Sequence, residues 1–163
     1  MKIASIVTPM DYVLRFQTMK EYPETISLEE IWKYFEGFPL AHLATVEGDR
    51  PRVRPMSLIT HNDELWLATK TSWAKVNQIR KKKQVEFSVA PISQEGTGSI
   101  RCTAEAIIVE DHQLKSEVES SIPWFRQYWS DVKAPNFTLI RLELKRILFD
   151  HPSDRKKYTV ILT

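Results

Sequence analysis

The chain has 163 residues and a formal net charge of +2 at pH 7. This length is typical of one domain with its own core, and so small a charge gives no reason to expect nucleic acid as a partner. The single cysteine, Cys102, excludes an intrachain disulfide and a cysteine-based zinc site. No apolar run has the length of a signal peptide or a membrane span, so we expect a cytoplasmic protein with no membrane partner.

The sequence shows no internal repeat and no low-complexity linker, so we expect a single domain over residues 1–163. It divides into an N-terminal arm at 1–26, a core at 27–150 and a C-terminal tail at 151–163. The arm has two prolines and little periodicity, and we expect it to lie on the body of the domain or on a partner. Ser27 and Glu30 then have the spacing of a capping box, which predicts a helix.

Alternation of apolar and polar residues predicts six strands after this helix. They lie at 40–46, 52–60, 64–69, 85–90, 99–109 and 137–149. Further helices are predicted at 72–82, with Ser72 as the cap and Trp73 in the buried stripe, and at 112–131, with a break near Pro123. Most strands are joined as hairpins, which indicates a mainly β fold, an antiparallel barrel or sandwich.

The common catalytic motifs are missing from the sequence. It has no P-loop, no GxGxxG, no HExxH and no GxSxG, and its four histidines are scattered. We therefore name no catalytic residue and expect no metal site. A cofactor that brings its own reactivity fits such a sequence better than catalysis by side chains alone.

Polar and basic residues that suit a phosphate gather at two places. Arg52 and Arg54 lie on the second predicted strand, and Thr69, Ser72 and Lys75 lie where the third strand passes into a helix. A helix N-terminus presents free backbone N–H groups and the positive end of a dipole, so it suits an anion. The alternative is ordinary: the arginines face solvent and Ser72 only caps the helix.

Four segments resemble one known family in their order and spacing. They read PRVRPMSLI, ELWLATKTSWAKVNQI, QVEFSV and TAEAIIVED. They are similar to the FMN-binding split-barrel family, which includes pyridoxamine 5′-phosphate oxidase and the general-stress flavoproteins. The resemblance implies a six-stranded antiparallel split β-barrel that forms a homodimer, with an FMN in each of two clefts at the subunit interface.

The resemblance also implies which residues hold the flavin. By position these are Arg54, Pro55, Met56, Ser57, Ala68, Thr69 and Lys75. The segment from Pro55 to Ser57 would line the isoalloxazine, and Lys75 would bind the phosphate. We add Arg52 for its proximity and Ser72 for its expected place at the helix cap.

The sequence departs from the oxidases of this family in three ways. Ala74 stands where they have an arginine, and Gly98 or Ser99 stands where they have a flavin-contacting glutamine. The tail at 151–163 has no counterpart of their substrate-binding motif. We therefore do not expect pyridoxamine 5′-phosphate oxidase activity.

Two functions remain open on the sequence. One is an FMN-dependent oxidoreductase that acts on a small substrate, with NADH or NADPH as a candidate electron donor. The other is a module that holds FMN, a deazaflavin or haem without turnover, for storage or sensing. A homodimer is also expected from the small residues Cys102, Ala104 and Ala106 on one strand and from the aromatic residues between 124 and 129.

Overall fold

The computed structural model describes residues 25–162. The predicted arm at 1–26 therefore lies almost wholly outside the described residues. The elements are α1 (Leu28–Trp32), β1 (Leu40–Glu47), β2 (Arg50–Ser57), β3 (Ile59–His61), β4 (Glu64–Lys70), α2 (Ala74–Lys81), β5 (Gln84–Val89), β6 (Ser99–Val109), α3 (His112–Glu119), α4 (Phe125–Tyr128), β7 (Phe137–Asp150) and β8 (Lys157–Ile161). Among these, no helix is long and apolar enough to cross a membrane.

All the described strands belong to one antiparallel sheet in the order β2-β1-β5-β6-β7-β4-β3, with β8 added on β7. The long strand β7 pairs with β6 along one edge. Its other edge is shared, because residues 137–142 pair with β4 and residues 146–150 pair with β8. The curled sheet with one divided edge confirms the predicted mainly β, antiparallel split barrel.

The strand count differs from the prediction at two points. The predicted strand at 52–60 is two strands, because residues 50–57 pair with β1 and residues 59–61 pair with β4. Leu58 lies between them, and its N–H donates to the Pro39 carbonyl at 3.0 Å. The tail forms an eighth strand, β8, which pairs with the end of β7. Six strands were therefore too few, although the order of the barrel strands along the chain was right.

Two apolar clusters hold the sheet in place, one on each face of β4. Leu65 and Leu67 belong to the cluster inside the barrel, whereas Trp66 belongs to the cluster under α3 and α4. Side chains in a strand alternate between faces, which accounts for this division. Cys102 is fully buried in the inner cluster.

The short helix α1 is anchored at both of its ends. The Ser27 hydroxyl accepts a hydrogen bond from the Glu30 N–H at 3.1 Å, so the predicted cap is present. The Glu30 carboxylate instead accepts from the ring of His151 at 3.2 Å, which ties the C-terminal tail to this helix. The predicted helical segment at 112–131 with a break near Pro123 is confirmed by α3 and α4, although residues 129–131 lie beyond the end of α4.

Candidate functional site

A cavity of about 380 Å³ lies between the C-terminal end of β2, the end of β4 and the aromatic segment around α4. It is lined by Pro55, Met56, Ser57, Ala68, Thr69, Lys70, Trp73, Trp124, Tyr128 and Trp129. The structure thus brings together the two segments that the resemblance assigned to the flavin ring, although they lie more than ten residues apart in sequence.

One wall of this cavity is aromatic. Trp124, Tyr128 and Trp129 come from the α4 segment, and Trp73 comes from the residue before α2. Trp129 is buried among Phe125 and Phe137, whereas Tyr128 and Trp73 are about half exposed. The prediction that Trp73 lies in the buried stripe of the helix was therefore wrong: it precedes the helix and faces the cavity.

Lys75 lies behind this wall with its side chain withdrawn from solvent. Only 7% of the residue is exposed, and its ammonium donates to the Thr69 hydroxyl at 3.2 Å. The ammonium also lies 3.9 Å from the centroid of the Trp73 ring. Burial, and then the nearby charge of Arg54, lower the pKa of Lys75 to about 8.

Arg54 is held from the inner face of the barrel by three hydrogen bonds. Its guanidinium donates to the Thr45 hydroxyl at 2.6 Å, to the Leu43 carbonyl at 3.3 Å and to the Gln78 side-chain oxygen at 3.0 Å. Burial is also the main cause that lowers the pKa of this guanidinium from its ordinary value. These contacts fix the orientation of Arg54, which has no acidic partner in the part of the chain that the structure describes.

Thr45 and Gln78 were not predicted as functional residues. Both are at least 95% buried, and the Thr45 hydroxyl donates to Gln78 Oε1 at 2.6 Å. The signal was present in the sequence as a polar residue on the buried side of a strand and another on the buried face of a helix. Such residues need partners, and here their partner is Arg54.

Arg54 and Lys75 together form a pair of cations without a compensating anion. Neither residue makes an ion pair within residues 25–162, and burial lowers the pKa of both side chains. Glu47 is the nearest carboxylate in the hydrogen-bond network, but it bonds to Arg52 and to Gln78. Two adjacent, partly desolvated cations are stabilised by an anion, so this location favours one.

The first turn of α2 adds backbone donors to these two charges. The N-cap residue is Trp73, and no side chain caps the helix. The prediction of Ser72 as the cap was wrong, because the chain makes one further residue of turn in which Trp73 donates to the Lys70 carbonyl at 3.1 Å. The uncapped N–H groups of this turn lie beside the Lys75 side chain and suit an anion.

The remaining predicted residues lie at the margin of this arrangement. Arg52 is exposed and makes a salt bridge of 2.6 Å to Glu47, so its charge is already balanced, and it does not line the cavity. Ser72 is exposed and also does not line it. The structure thus groups Arg54, Thr69 and Lys75 behind the cavity and leaves Arg52 and Ser72 outside the group.

Comparison with known families identifies the family to which this chain belongs. The sequence model of the family described as "Pyridoxamine 5′-phosphate oxidase like" matches residues 27–157, which is most of the chain. The chain belongs to the pyridoxamine 5′-phosphate oxidase-like family. This confirms the family resemblance of the four segments. The comparison with curated proteins finds no match to the sequence.

Solved structures share the fold at low sequence identity. The general stress protein 26 of Bacillus anthracis is 22% identical, with a TM-score of 0.65 over 82% of this chain and 97% of that one. A protein of Mesorhizobium loti described as FAD-binding is 18% identical, with a TM-score of 0.61 over 76% of this chain and 94% of that one. A haem-binding protein of Mycobacterium smegmatis is 11% identical, with a TM-score of 0.71 over 86% of this chain and 60% of that one.

The structure explains one departure of this chain from the oxidases of the family. A Cβ built on Gly98 would overlap the Asp150 carbonyl oxygen and lie 2.9 Å from the Pro152 nitrogen. Gly98 therefore leaves no room for a glutamine. Ser99 is exposed, and its hydroxyl donates to the Asp150 carboxylate at 3.0 Å rather than facing the cavity lined by Pro55 and Trp73.

Proposed function

We propose that the chain is an FMN-binding flavoprotein that acts as an oxidoreductase on a small substrate. One observation carries the proposal: a cavity with an aromatic wall lies beside two partly desolvated cations that have no acidic partner among residues 25–162. The ring system of a flavin is flat and largely apolar, and its phosphate is a dianion. The two parts of the site match these two parts of FMN.

The ring would lie against the segments assigned from the sequence. Pro55, Met56 and Ser57 line one side of the cavity, and Ala68 and Thr69 lie at the end of the neighbouring strand. Pro55 has no backbone N–H, so β2 can approach a ring there without burying an unpaired donor. The aromatic wall would exclude water from the opposite side.

The phosphate would lie between Arg54, Lys75 and the first turn of α2. Arg54 can donate two parallel hydrogen bonds to phosphate oxygens, whereas Lys75 supplies a point charge. Thr45 and Gln78 hold Arg54 in place, and Thr69 holds Lys75. Arg52 would contribute through its charge alone, since Glu47 already occupies its guanidinium.

Bound FMN would supply the redox chemistry by exchanging a hydride with a substrate at its ring. The chain's own part would be to bind, orient and shield. No histidine, aspartate or glutamate is among the residues that line the cavity, so Lys70 and Tyr128 are the ionisable side chains of this lining.

We also propose that the protein is a homodimer, as the family resemblance implies. The structure changes two of the three reasons to expect a homodimer, namely the small residues on one strand and the aromatic residues between 124 and 129. Cys102, Ala104 and Ala106 are fully buried against the chain's own core, and Trp129 is buried as well. The support now comes from large apolar side chains that remain exposed, namely Leu40, Val53, Trp73 and Tyr128. Trp73 and Tyr128 lie at the cavity, so a second copy that covers them would complete the site.

The absorption spectrum of the purified protein tests the cofactor. Flavin bands near their usual positions, with FMN released on denaturation, are the expected result. A Soret band, or a deazaflavin spectrum, would refute FMN. Anaerobic addition of NADH and NADPH then tests turnover: bleaching of the flavin and reoxidation by an added acceptor support the oxidoreductase, whereas a flavin that neither donor reduces supports the binding module.

A further inference from the structure

A second cavity, of about 250 Å³, lies where α3 and the start of β7 meet α2. Its polar lining comes from four parts of the chain and consists of Thr71, Arg80, Glu110, His112, Lys115, Lys133 and Thr138. It shares no lining residue with the cavity around Trp73, and neither Arg54 nor Lys75 lines it. It is therefore a separate feature from the proposed flavin site.

Lys115 is the feature of this cavity that requires an explanation. The residue is only 7% exposed, yet its ammonium makes no hydrogen bond and no ion pair within the described part of the chain. The ring of Phe137 lies 5.8 Å away, which is a weak contact for a cation. The ammonium lines the cavity, where a bound anion would supply the partner that the described residues do not.

The other groups of the cavity favour the same kind of ligand. Arg80 and Lys133 add two positive charges, against the single carboxylate of Glu110, and the structure shows no salt bridge between that carboxylate and Lys115. The hydroxyls of Thr71 and Thr138 lie 2.9 Å apart. One of them donates to the other, so the hydroxyl that accepts keeps its own hydrogen free to donate to a ligand.

We propose that this cavity binds a small oxyanion, the carboxylate or phosphate group of a free metabolite, with Lys115 as its ion-pair partner. Its volume of about 250 Å³ corresponds to roughly eight water molecules at ~30 Å³ each. That space holds an anionic group with a small remainder but excludes a dinucleotide. Phosphate and carboxylate share the same chemistry of recognition here: an ammonium, a hydroxyl donor and an excess of positive charge.

The test is calorimetric titration of the protein as purified with inorganic phosphate and, separately, with acetate, at pH 7.5 and at an ionic strength held constant with NaCl. We expect at least one anion to bind at one site per chain that is separate from Arg54 and Lys75. Lys115→Met should weaken that binding about ten- to a hundredfold, the usual effect of losing a hydrogen bond to a charged group. Lys82→Met removes an exposed lysine outside both cavities and should leave the affinity unchanged.

Further variants keep the proposal decidable if Lys115→Met does not fold. Arg80→Gln and Lys133→Gln replace exposed lining residues and should each weaken binding severalfold while their thermal unfolding is unchanged. Binding of phosphate alone or acetate alone supports the proposal and names the ligand class. Absence of binding by either anion, or equal losses in Lys82→Met and the lining variants, overturns it. None of these variants should change the amount of FMN bound, so the outcome is independent of the proposed flavin site.

Discussion

The ammonium of Lys75 donates to the hydroxyl of Thr69 at 3.2 Å, across the connection between β4 and α2. This hydrogen bond is the one polar contact of the ammonium that the structure shows among residues 25–162. A hydroxyl compensates a buried ammonium only in part, and the pKa of Lys75 is accordingly lowered to about 8. Lys75 therefore changes from charged to neutral at a pH at which ligand binding can be measured.

The first prediction concerns the pH dependence of FMN binding. Below pH 8 the ammonium of Lys75 is charged and can pair with the phosphate; above pH 8 the ligand-free protein loses this proton. A bound dianion raises the pKa again, so binding takes up a proton and the affinity for FMN falls as the pH rises above 8, by at most about tenfold per unit for one proton. Fluorescence titration between pH 7 and pH 9 measures it.

Two controls separate this effect from a general loss of stability. Riboflavin lacks the phosphate, and its affinity should stay level over the same range. Lys75→Arg carries a guanidinium that remains charged, so its affinity for FMN should no longer fall above pH 8. A fall of equal steepness in Lys75→Arg would show that another group titrates.

The sequence predicted the barrel well because alternation in a strand is a local signal. It predicted β4 as a strand, and the alternation within that strand puts Trp66 on the face opposite Leu65 and Leu67. The boundary at Leu58 was not predictable in the same way, since there the chain changes its partner strand from β1 to β4, which the tertiary structure determines. Likewise the sequence pattern predicted Trp73 inside the helix. Trp73 lines the cavity because the helix begins one residue later, at Ala74.

The sequence predicted those residues of the candidate site that lie together in one short segment of the chain. The segments 55–57 and 68–69, which the family resemblance assigned to the flavin ring, line one cavity. The residues that orient Arg54 were not predicted, because Thr45 and Gln78 come from a strand and a helix that only the fold brings together. Burial of polar residues is a property of tertiary structure, and a single sequence shows it only weakly.

A second prediction concerns the position where the oxidases of the family have a glutamine. Gly98→Gln forces a Cβ into the Asp150 carbonyl and close to Pro152, so it should destabilise the protein by about 1–3 kcal/mol, the usual effect of overpacking. Ser99→Gln should have a much smaller effect, because Ser99 is exposed and loses only its hydrogen bond to Asp150. Urea unfolding of the two variants compares them. Equal stabilities would contradict the close approach at Gly98.

The third prediction is that the FMN-loaded protein does not oxidise pyridoxine 5′-phosphate. Ala74 offers no charge to a substrate phosphate. His151 in the C-terminal tail has a structural role. Its ring contacts Glu30 and accepts hydrogen bonds from the N–H groups of Ser153 and Asp154 at 3.2 Å each. A peroxide assay under air, with free FMN as the blank, should give no signal above that blank. Release of peroxide in proportion to protein concentration would refute this prediction.

The last prediction concerns the pair of cations. If Arg54 and Lys75 hold the phosphate, Arg54→Ala and Lys75→Ala should each weaken FMN binding by about ten- to a hundredfold, since a hydrogen bond to a charged group contributes roughly 1.5–3 kcal/mol. Riboflavin binding should change much less in both variants. Titration of each variant with the two flavins, followed by fluorescence, measures the difference.

The chain offers matched controls for this comparison. Lys82→Ala removes one exposed positive charge at the C-terminal end of the same helix and should leave both affinities unchanged. Gln78→Leu keeps Arg54 but removes the acceptor at 3.0 Å, so it should weaken FMN binding less than Arg54→Ala does. Arg52→Ala should have an effect below about threefold, because Arg52 is exposed and paired with Glu47. Equal losses for FMN and riboflavin in the Arg54 and Lys75 variants would place these residues outside the phosphate site.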